Sequence, residues 1–207
     1  HVASKNRGGS YLRTKVTPNN PQTVAQMSVR GIFASISSLW SSLTQGQRDS
    51  FDGFVAAYST TDIFGDIRNP SGKNLFQRLN QNLENTGQTQ ITTCVAPTEV
   101  PFANLSSVLG DISDTRIEIT TLGDTTGCIM LVFATPSLSQ GTKFVKNKLR
   151  VVGYYTGGDA ELLNVWGDYV TKYGQPAVGA NIYVGVRVIN ANGQASPLET
   201  LKATISA

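Results

Sequence analysis

The feature that most constrains the fold is a change in hydrophobic period near Gly87. Before this glycine, apolar residues recur every three or four positions, which is the spacing of an amphipathic helix. After it, apolar residues alternate with polar ones or run without interruption, which is typical of half-buried and fully buried strands. A chain with helices in one part and strands in the other is expected to fold as an α+β protein.

Three helices are predicted between residues 21 and 87. Asn20 and Pro21 suit the cap and first turn of one helix, Thr44 and Gln47 have capping-box spacing, and Ser71 can cap a third helix. The apolar stripes of the three helices are, in order, Val29, Ile32, Phe33, Ile36, Trp40 and Leu43; Phe51, Phe54, Val55 and Tyr58; and Leu75, Phe76, Leu79 and Leu83. Each stripe occupies one side of its helix, so a small helical bundle should bury all three.

Strands are predicted in the second half of the chain. Four segments have strand character: 116–120, 128–133, 148–155 and 181–189. A further segment near 198–205 is an acceptable partner at the edge of the sheet. Asn192-Gly193 is a strong hairpin signal. Residues 161–172 fit a helical face slightly better than a strand. Short strands separated by turn signals predict an antiparallel β-sandwich.

These patterns divide the chain into an extended basic arm (1–20), a helical domain (21–87), a linker (88–98) and a β-sandwich domain (99–207). The arm has flexible Gly8-Gly9, a helix-blocking Pro18 and weak strand alternation from Tyr11 to Val16. Because it contributes little core of its own, we expect it to become ordered on a neighbour, for example by adding a strand to a sheet edge.

Positive charge is concentrated at the start of the chain. The first 48 residues carry six Lys or Arg and no Asp or Glu, while the whole chain has a net charge of +3, so the remainder sums to −3. Such a segment can bind an acidic protein, nucleic acid or membrane surface, or can simply promote solubility. The predicted partner-binding residues of the arm are Lys5, Arg7, Tyr11, Arg13 and Lys15. Tyr11 is the one aromatic residue among the charges of the arm, so nucleic acid is not the favoured partner.

Composition argues against an enzyme. The single His is residue 1, which nearly excludes His-based acid–base catalysis and His-rich metal sites. Cys94 and Cys128 lack a CxxC motif, which argues against zinc; two buried free thiols are the favoured state, and a disulfide is the alternative. We therefore expect no catalytic residues, no metal and no cofactor.

Other candidate motifs are interpreted as structural. The carboxylate pairs lie near turns or helix starts, where Asp acts as a cap: Asp111 with Asp114, Asp159 with Glu161, and Asp49 with Asp52. Asp111, Asp114 and Asp124 lack EF-hand spacing. Residues 65–74 have Ile67 and Asn74 where a phosphate-binding loop needs Gly and a hydroxyl.

Several short motifs occur in order between residues 7 and 87: an arm around Arg7, Asn20-Pro21-Gln22-Thr23 with Gln26 and Arg30, Leu43-Thr44 with Gln47-Arg48, and Gly72 with Asn74-Leu75-Phe76 and Leu79-Asn80. Together they resemble a family of small tailed-phage and prophage structural proteins, although Phe51 stands where that family commonly has Trp. Tyr173-Gly174, Pro176 and Asn192-Gly193 resemble fibronectin-III or immunoglobulin-like modules, an analogy at the level of the fold.

The resemblance implies a non-enzymatic bacteriophage virion protein that is assembled in the bacterial host cytoplasm. Its arm and helical domain would dock to other structural proteins of the capsid, connector or tail, and it would form a homo-oligomer within that assembly. No membrane partner is expected. The alternative is a cell-surface or secreted carbohydrate- or protein-binding module, using aromatic residues such as Trp166 of the β domain. A third hypothesis is a hydrolase with a carboxylate pair.

Overall fold

The computed structural model confirms the α+β class and describes residues 2–6, 8–17, 19–142, 144–159 and 162–207. Its helices are α1 (Val24–Ser42), α2 (Gln45–Phe54), α3 (Gly72–Asn85) and α4 (Trp166–Tyr173). Two small hairpins are formed by β1 (Val2–Asn6) with β2 (Gly9–Arg13) and by β3 (Thr60–Thr61) with β4 (Ile67–Arg68). One large sheet contains β5 (Leu105–Asp111), β6 (Arg116–Thr121), β7 (Ile129–Ala134), β8 (Arg150–Thr156), β9 (Leu162–Asn164), β10 (Asn181–Ile189) and β11 (Glu199–Ser206).

The large sheet differs from the two separate sheets that the sequence predicts. Hydrogen bonds join all seven strands in the order β8-β7-β10-β11-β5-β6-β9. All neighbours are antiparallel except β11 and β5, which pair in parallel through Ile205 with Gly110 and Ser206 with Asp111. The segment predicted as an edge partner is therefore a central strand, because it bonds to β10 on one side and to β5 on the other.

The sheet curls around its own core. Three strands separate β6 from β7 in the sheet, which would place them about 19 Å apart if the sheet were flat. Nevertheless Ile119 of β6 packs in the same buried cluster as Met130 of β7 and Val184 of β10. Helix α4 contacts both β8 at one edge and β6 near the other, so it lies across the open side of the curl. We call this sheet with α4 the sheet unit.

Helices α1 to α3 form a second buried cluster, which we call the helical unit. Its centre is aromatic: the ring of Phe51 lies 6.0 Å from that of Trp40 and 5.1 Å from that of Phe76. Two other members of the predicted stripes, Leu75 and Leu79, are also buried there. The helical spacing read from the sequence thus identifies most of this core.

Helix starts follow local side-chain chemistry. The capping box of Thr44 and Gln47 is confirmed, and so is the Ser71 cap, whose hydroxyl accepts a hydrogen bond from the Asn74 amide. The predicted cap at Asn20 is wrong. Thr23 caps α1 instead, while the Asn20 side chain accepts a hydrogen bond from Arg30. Thr23 occupies the position whose hydroxyl can reach the amide three residues on.

Residues 88–98 contain no regular element but pack closely on the helical unit. The buried Asn80 side chain accepts a hydrogen bond from the Ile91 amide (2.7 Å) and donates one to the Ile91 carbonyl (3.1 Å). Cys94 joins the helical core, and both Cys94 and Cys128 are free and buried, as favoured from the sequence. Burial raises the pKa of both thiols, which favours their protonated, unreactive form.

A buried glutamine joins the two units. Gln194, only 6% exposed, donates hydrogen bonds to the Tyr58 hydroxyl (2.6 Å) and the Ala96 carbonyl (3.2 Å). Its side-chain oxygen accepts from the Thr98 amide (2.9 Å) and hydroxyl (2.7 Å) and from Asn190 (3.1 Å). We call this network the Gln194 joint, because it connects the loop after β10 to Tyr58, which follows α2.

Within the described part of the chain, no helix combines the length and the apolar character needed to cross a bilayer.

Candidate partner-binding surface

The arm is a two-stranded hairpin rather than a single extended segment. Strand β1 pairs with β2 from Val2 with Arg13 to Asn6 with Gly9. Gly9 has φ +113°, a conformation that a side chain would strain, so a glycine suits the turn. The sequence shows only the weak alternation of one strand. The partner strand at residues 2–6 was missed because polar Ser4, Lys5 and Asn6 interrupt its apolar pattern.

The hairpin separates the predicted arm residues. Because paired residues share a face, Tyr11 and Arg13 lie on one face with Ser4 and Val2, whereas Lys5 lies on the other. Lys15 follows the hairpin, and Arg7 lies outside the described residues. Lys5, Arg13 and Lys15 are exposed and have no ion pair with any other described residue. The arm therefore presents positive charge on both faces.

The first half of α1 projects from the helical unit. Every residue from 24 to 31 is exposed, and Phe33 is 53% exposed. The predicted burial of Val29 and Phe33 is therefore wrong for this chain, whereas Ile36 and Leu43 of the same stripe are buried. The reason is length: α1 has 19 residues, while α2 has 10 and α3 has 14, and only the part of α1 from Ile32 onward contributes to the helical core.

A side hairpin, β3–β4, presents further apolar residues. Asp62 holds its loop by accepting hydrogen bonds from the Phe64 amide (2.8 Å) and the Asp66 amide (3.0 Å), and it pairs with Arg68 (3.1 Å). The Phe64 amide, above all, lowers the pKa of the Asp62 carboxyl. This geometry leaves Ile63 92% exposed and Phe64 84% exposed.

These three elements define the candidate surface: the arm hairpin, the projecting half of α1 and the side hairpin. Among the described residues, ten of eighteen exposed large apolar side chains lie in the first 67 residues, so the apolar exposure is concentrated there. Scattered exposed apolar residues are ordinary, but concentrated ones mark sites of interaction. The charge of this region is visible in the sequence, and Ile63, Phe64 and Ile67 are a further signal within the otherwise mostly polar segment 59–70.

The acidic residues considered as a carboxylate pair or as calcium ligands stabilise turns instead. Asp111 accepts hydrogen bonds from the Ser113 amide (2.9 Å) and hydroxyl (2.7 Å), and the hydroxyl bond is the main cause of its lowered pKa. Asp114 pairs with Arg116 (3.2 Å), and Asp124 accepts from the Thr126 amide (2.9 Å). Among the described residues, no three His, Cys, Asp or Glu side chains are placed to share a metal ion.

Of the other two carboxylate pairs, one lies on α2, and the other includes a residue outside the described part of the chain. Asp49 of α2 accepts a hydrogen bond from Gln45 (2.7 Å), and Asp52 lies against Gly72 at the start of α3. Asp159 is described, but Glu161 lies outside the described residues.

Most aromatic residues that could stack on a sugar contribute to packing instead. Trp40 belongs to the helical core, and Trp166 packs against the core of the sheet unit. The Tyr155 hydroxyl donates to the Asp168 carboxylate, and burial together with this bond raises the pKa of Tyr155 strongly. Tyr154, at 53%, exposes the largest part of its side chain among these residues.

Neither a protein-family model nor a curated protein matches this chain. Among solved structures, the chain has a distant similarity to a family 76 glycoside hydrolase from a bovine Bacteroides thetaiotaomicron strain, at 14% identity and a TM-score of 0.33. The match covers 52% of this chain and spans only about a fifth (21%) of that structure. A similarity at this level supports no conclusion about fold or function.

Proposed function

We propose that this chain is a non-enzymatic structural subunit of a virion, which docks to neighbouring capsid, connector or tail subunits through its arm and helical unit. The supporting observation is the candidate surface. Its three elements together expose apolar side chains, and its arm adds cations that have no described acidic partner. The virion assignment itself depends on the ordered motifs between residues 7 and 87, which resemble tailed-phage structural proteins.

The size of the surface indicates that several elements engage together. Burying a fully exposed large apolar side chain contributes about 1.5–3 kcal/mol, so covering the exposed parts of Val24, Met27, Phe33 and Phe64 would contribute roughly 4–8 kcal/mol in all. Association costs about 4–15 kcal/mol in lost freedom before any net affinity appears. Burial of these four side chains alone therefore offsets only the lower part of the range of that cost. The arm must add charge contacts or strand pairing for docking to be stable.

We further propose that the sheet unit is an immunoglobulin-like module whose two sheets have been joined. The parallel pair of β11 and β5 provides that junction, since without it the remaining order is β8-β7-β10-β11 and β5-β6-β9. In such a module the helical unit docks the protein, and the sheet unit packs against a partner or projects as a decoration.

Deletion of residues 1–19 tests the docking role. We expect the shortened chain to keep the circular dichroism and melting temperature of both units but to be lost from purified particles of a strain that encodes the protein. Residues 1–19 carry four cationic side chains, so substitution of four exposed cations outside the helical unit, Lys146, Arg150, Lys172 and Lys202, by Gln is a charge-matched control that should leave incorporation unchanged. Normal incorporation of the shortened chain would overturn the docking role of the arm.

A glycan array distinguishes the alternative function. Specific glycan binding that is lost in Trp166→Ala, while circular dichroism shows an unchanged fold, would favour a carbohydrate-binding module over a virion subunit. We expect no specific glycan binding.

A further inference from the structure

A cleft of about 600 Å³ lies between the helical unit and the sheet unit, next to the Gln194 joint. The helical unit contributes Tyr58, Arg78 and Asn82 to its lining, and the sheet unit contributes Arg187 and Ser196. None of the residues that line this cleft is Asp or Glu. The cleft therefore has two guanidinium groups and no carboxylate to neutralise them.

Arg187 is the more informative of the two arginines. It lies on β10, where its neighbours Val186 and Val188 point into the sheet core and Arg187 points to the opposite face. Its Nε atom is buried without a hydrogen-bond partner, and no hydrogen bond or ion pair joins the Arg187 side chain to any other described residue. A buried donor left unpaired destabilises the fold, and more so when the donor is charged. Such a donor needs an acceptor.

Arg78 approaches the cleft from α3. Its guanidinium lies 5.5 Å from the centre of the Tyr58 ring, and its polar contact is a long one, 3.5 Å to the Tyr58 carbonyl. Most of its five N–H donors therefore remain available. Burial raises the pKa of the Tyr58 phenol, so this hydroxyl stays neutral and does not balance the arginines.

We propose that this cleft binds an oxyanion, a phosphate or carboxylate group, through Arg187 and Arg78. Arginine suits this role because it is always charged and presents several donors in a planar arrangement that matches these anions. Hydroxyl groups that line the same cleft, those of Ser59 and Thr60, can add neutral donors. The proposal is independent of the virion role, since it concerns the contact between the two units and not the candidate docking surface.

Calorimetric titration of the full chain with inorganic phosphate, and separately with citrate, tests the proposal at fixed ionic strength. We expect saturable binding of at least one probe, with affinity reduced at least tenfold in Arg187→Gln. A tighter response to phosphate identifies a phosphate ligand, and a tighter response to citrate identifies a carboxylate ligand.

Two further variants keep the test decisive. Arg78→Gln alters an exposed side chain, so it should stay folded and still weaken binding. Arg150→Gln removes the same charge at an exposed site outside the cleft and should change affinity less than twofold. Absence of saturable binding for both probes, or equal losses in Arg78→Gln and Arg150→Gln, would overturn the oxyanion site.

Discussion

Truncation of Gln194 should weaken the contact between the two units more than an ordinary surface substitution. Gln194→Ala removes five side-chain hydrogen bonds, two donated to Tyr58 and Ala96 and three accepted from Thr98 and Asn190. Water can replace part of this network, because Ala96 and Thr98 are themselves exposed. The contacts around the buried Tyr58 hydroxyl cannot be replaced as easily.

The expected loss is about 2–3 kcal/mol. A buried hydrogen bond contributes roughly 0.5–1.5 kcal/mol, and two or three of the five are not recovered from solvent. For a chain of this size, each kcal/mol lowers the melting temperature by about 2–4 °C, so the variant should melt about 4–12 °C lower. Gln175→Ala, at an exposed position, should change stability by less than about 0.5 kcal/mol.

Urea unfolding followed by tryptophan fluorescence measures both the loss and its location. Trp40 lies in the helical unit and Trp166 in the sheet unit. The Trp166→Phe variant keeps only Trp40 and therefore reports on the helical unit, whereas Trp40→Phe keeps only Trp166 and reports on the sheet unit. The two midpoints should coincide in the parent chain and separate when Gln194→Ala is added. If Gln194→Ala matched Gln175→Ala and the midpoints stayed together, the joint would not couple the units.

Three other predictions concern the turn, the core and pH. Gly193→Ala should cost more than 2 kcal/mol, because its Cβ would lie about 2.3 Å from the Leu79 carbonyl oxygen; Gly179→Ala has a similar positive φ and open space, and should cost about 1 kcal/mol by urea unfolding. Equal costs would contradict the close approach. Phe51→Ala should destabilise by about 3–5 kcal/mol in the same assay, and a loss below about 1 kcal/mol would exclude a central packing role. Asp62 has a lowered folded pKa, so its stabilisation of the side hairpin is present above pH 3.8 and is lost as pH falls below that value. Amide NMR signals of the hairpin should show this acid transition in the parent chain but not in Asp62→Asn, and a transition in both would assign it elsewhere.

Local chemistry explains which parts of the fold could be predicted. The capping box at Thr44 and the cap at Ser71 depend on residues three positions away, so they are visible in the sequence. The alternation of β10 and the uninterrupted apolar run of β7 likewise reflect burial along one strand. Strand β5 was missed because its serines and Gly110 interrupt any apolar period, and its position is set by pairing with β6 and β11.

Contacts between distant residues explain the rest. The apolar stripe of α1 looks uniform in sequence, but whether Phe33 is covered depends on the lengths of other helices. The exposure of the arm hairpin, the first half of α1 and the side hairpin likewise depends on packing that no local pattern encodes. Arg78 and Arg187 are far apart in sequence, on a helix and a strand, and only the packing of the two units places them in one cleft.

The position of β11 has a kinetic consequence. It is the last of the seven strands in chain order, yet it occupies the middle of the sheet. During synthesis, the three strands β8-β7-β10 and the three strands β5-β6-β9 cannot be joined until β11 emerges from the ribosome. Until then, the edges of β10 and β5 that later pair with β11 remain unpaired. Non-local pairing of this kind slows folding and lengthens the time during which unpaired edges can aggregate. Folding of the sheet unit during synthesis therefore depends on the eight residues Glu199–Ser206, which leave the ribosome after the other six strands of this sheet.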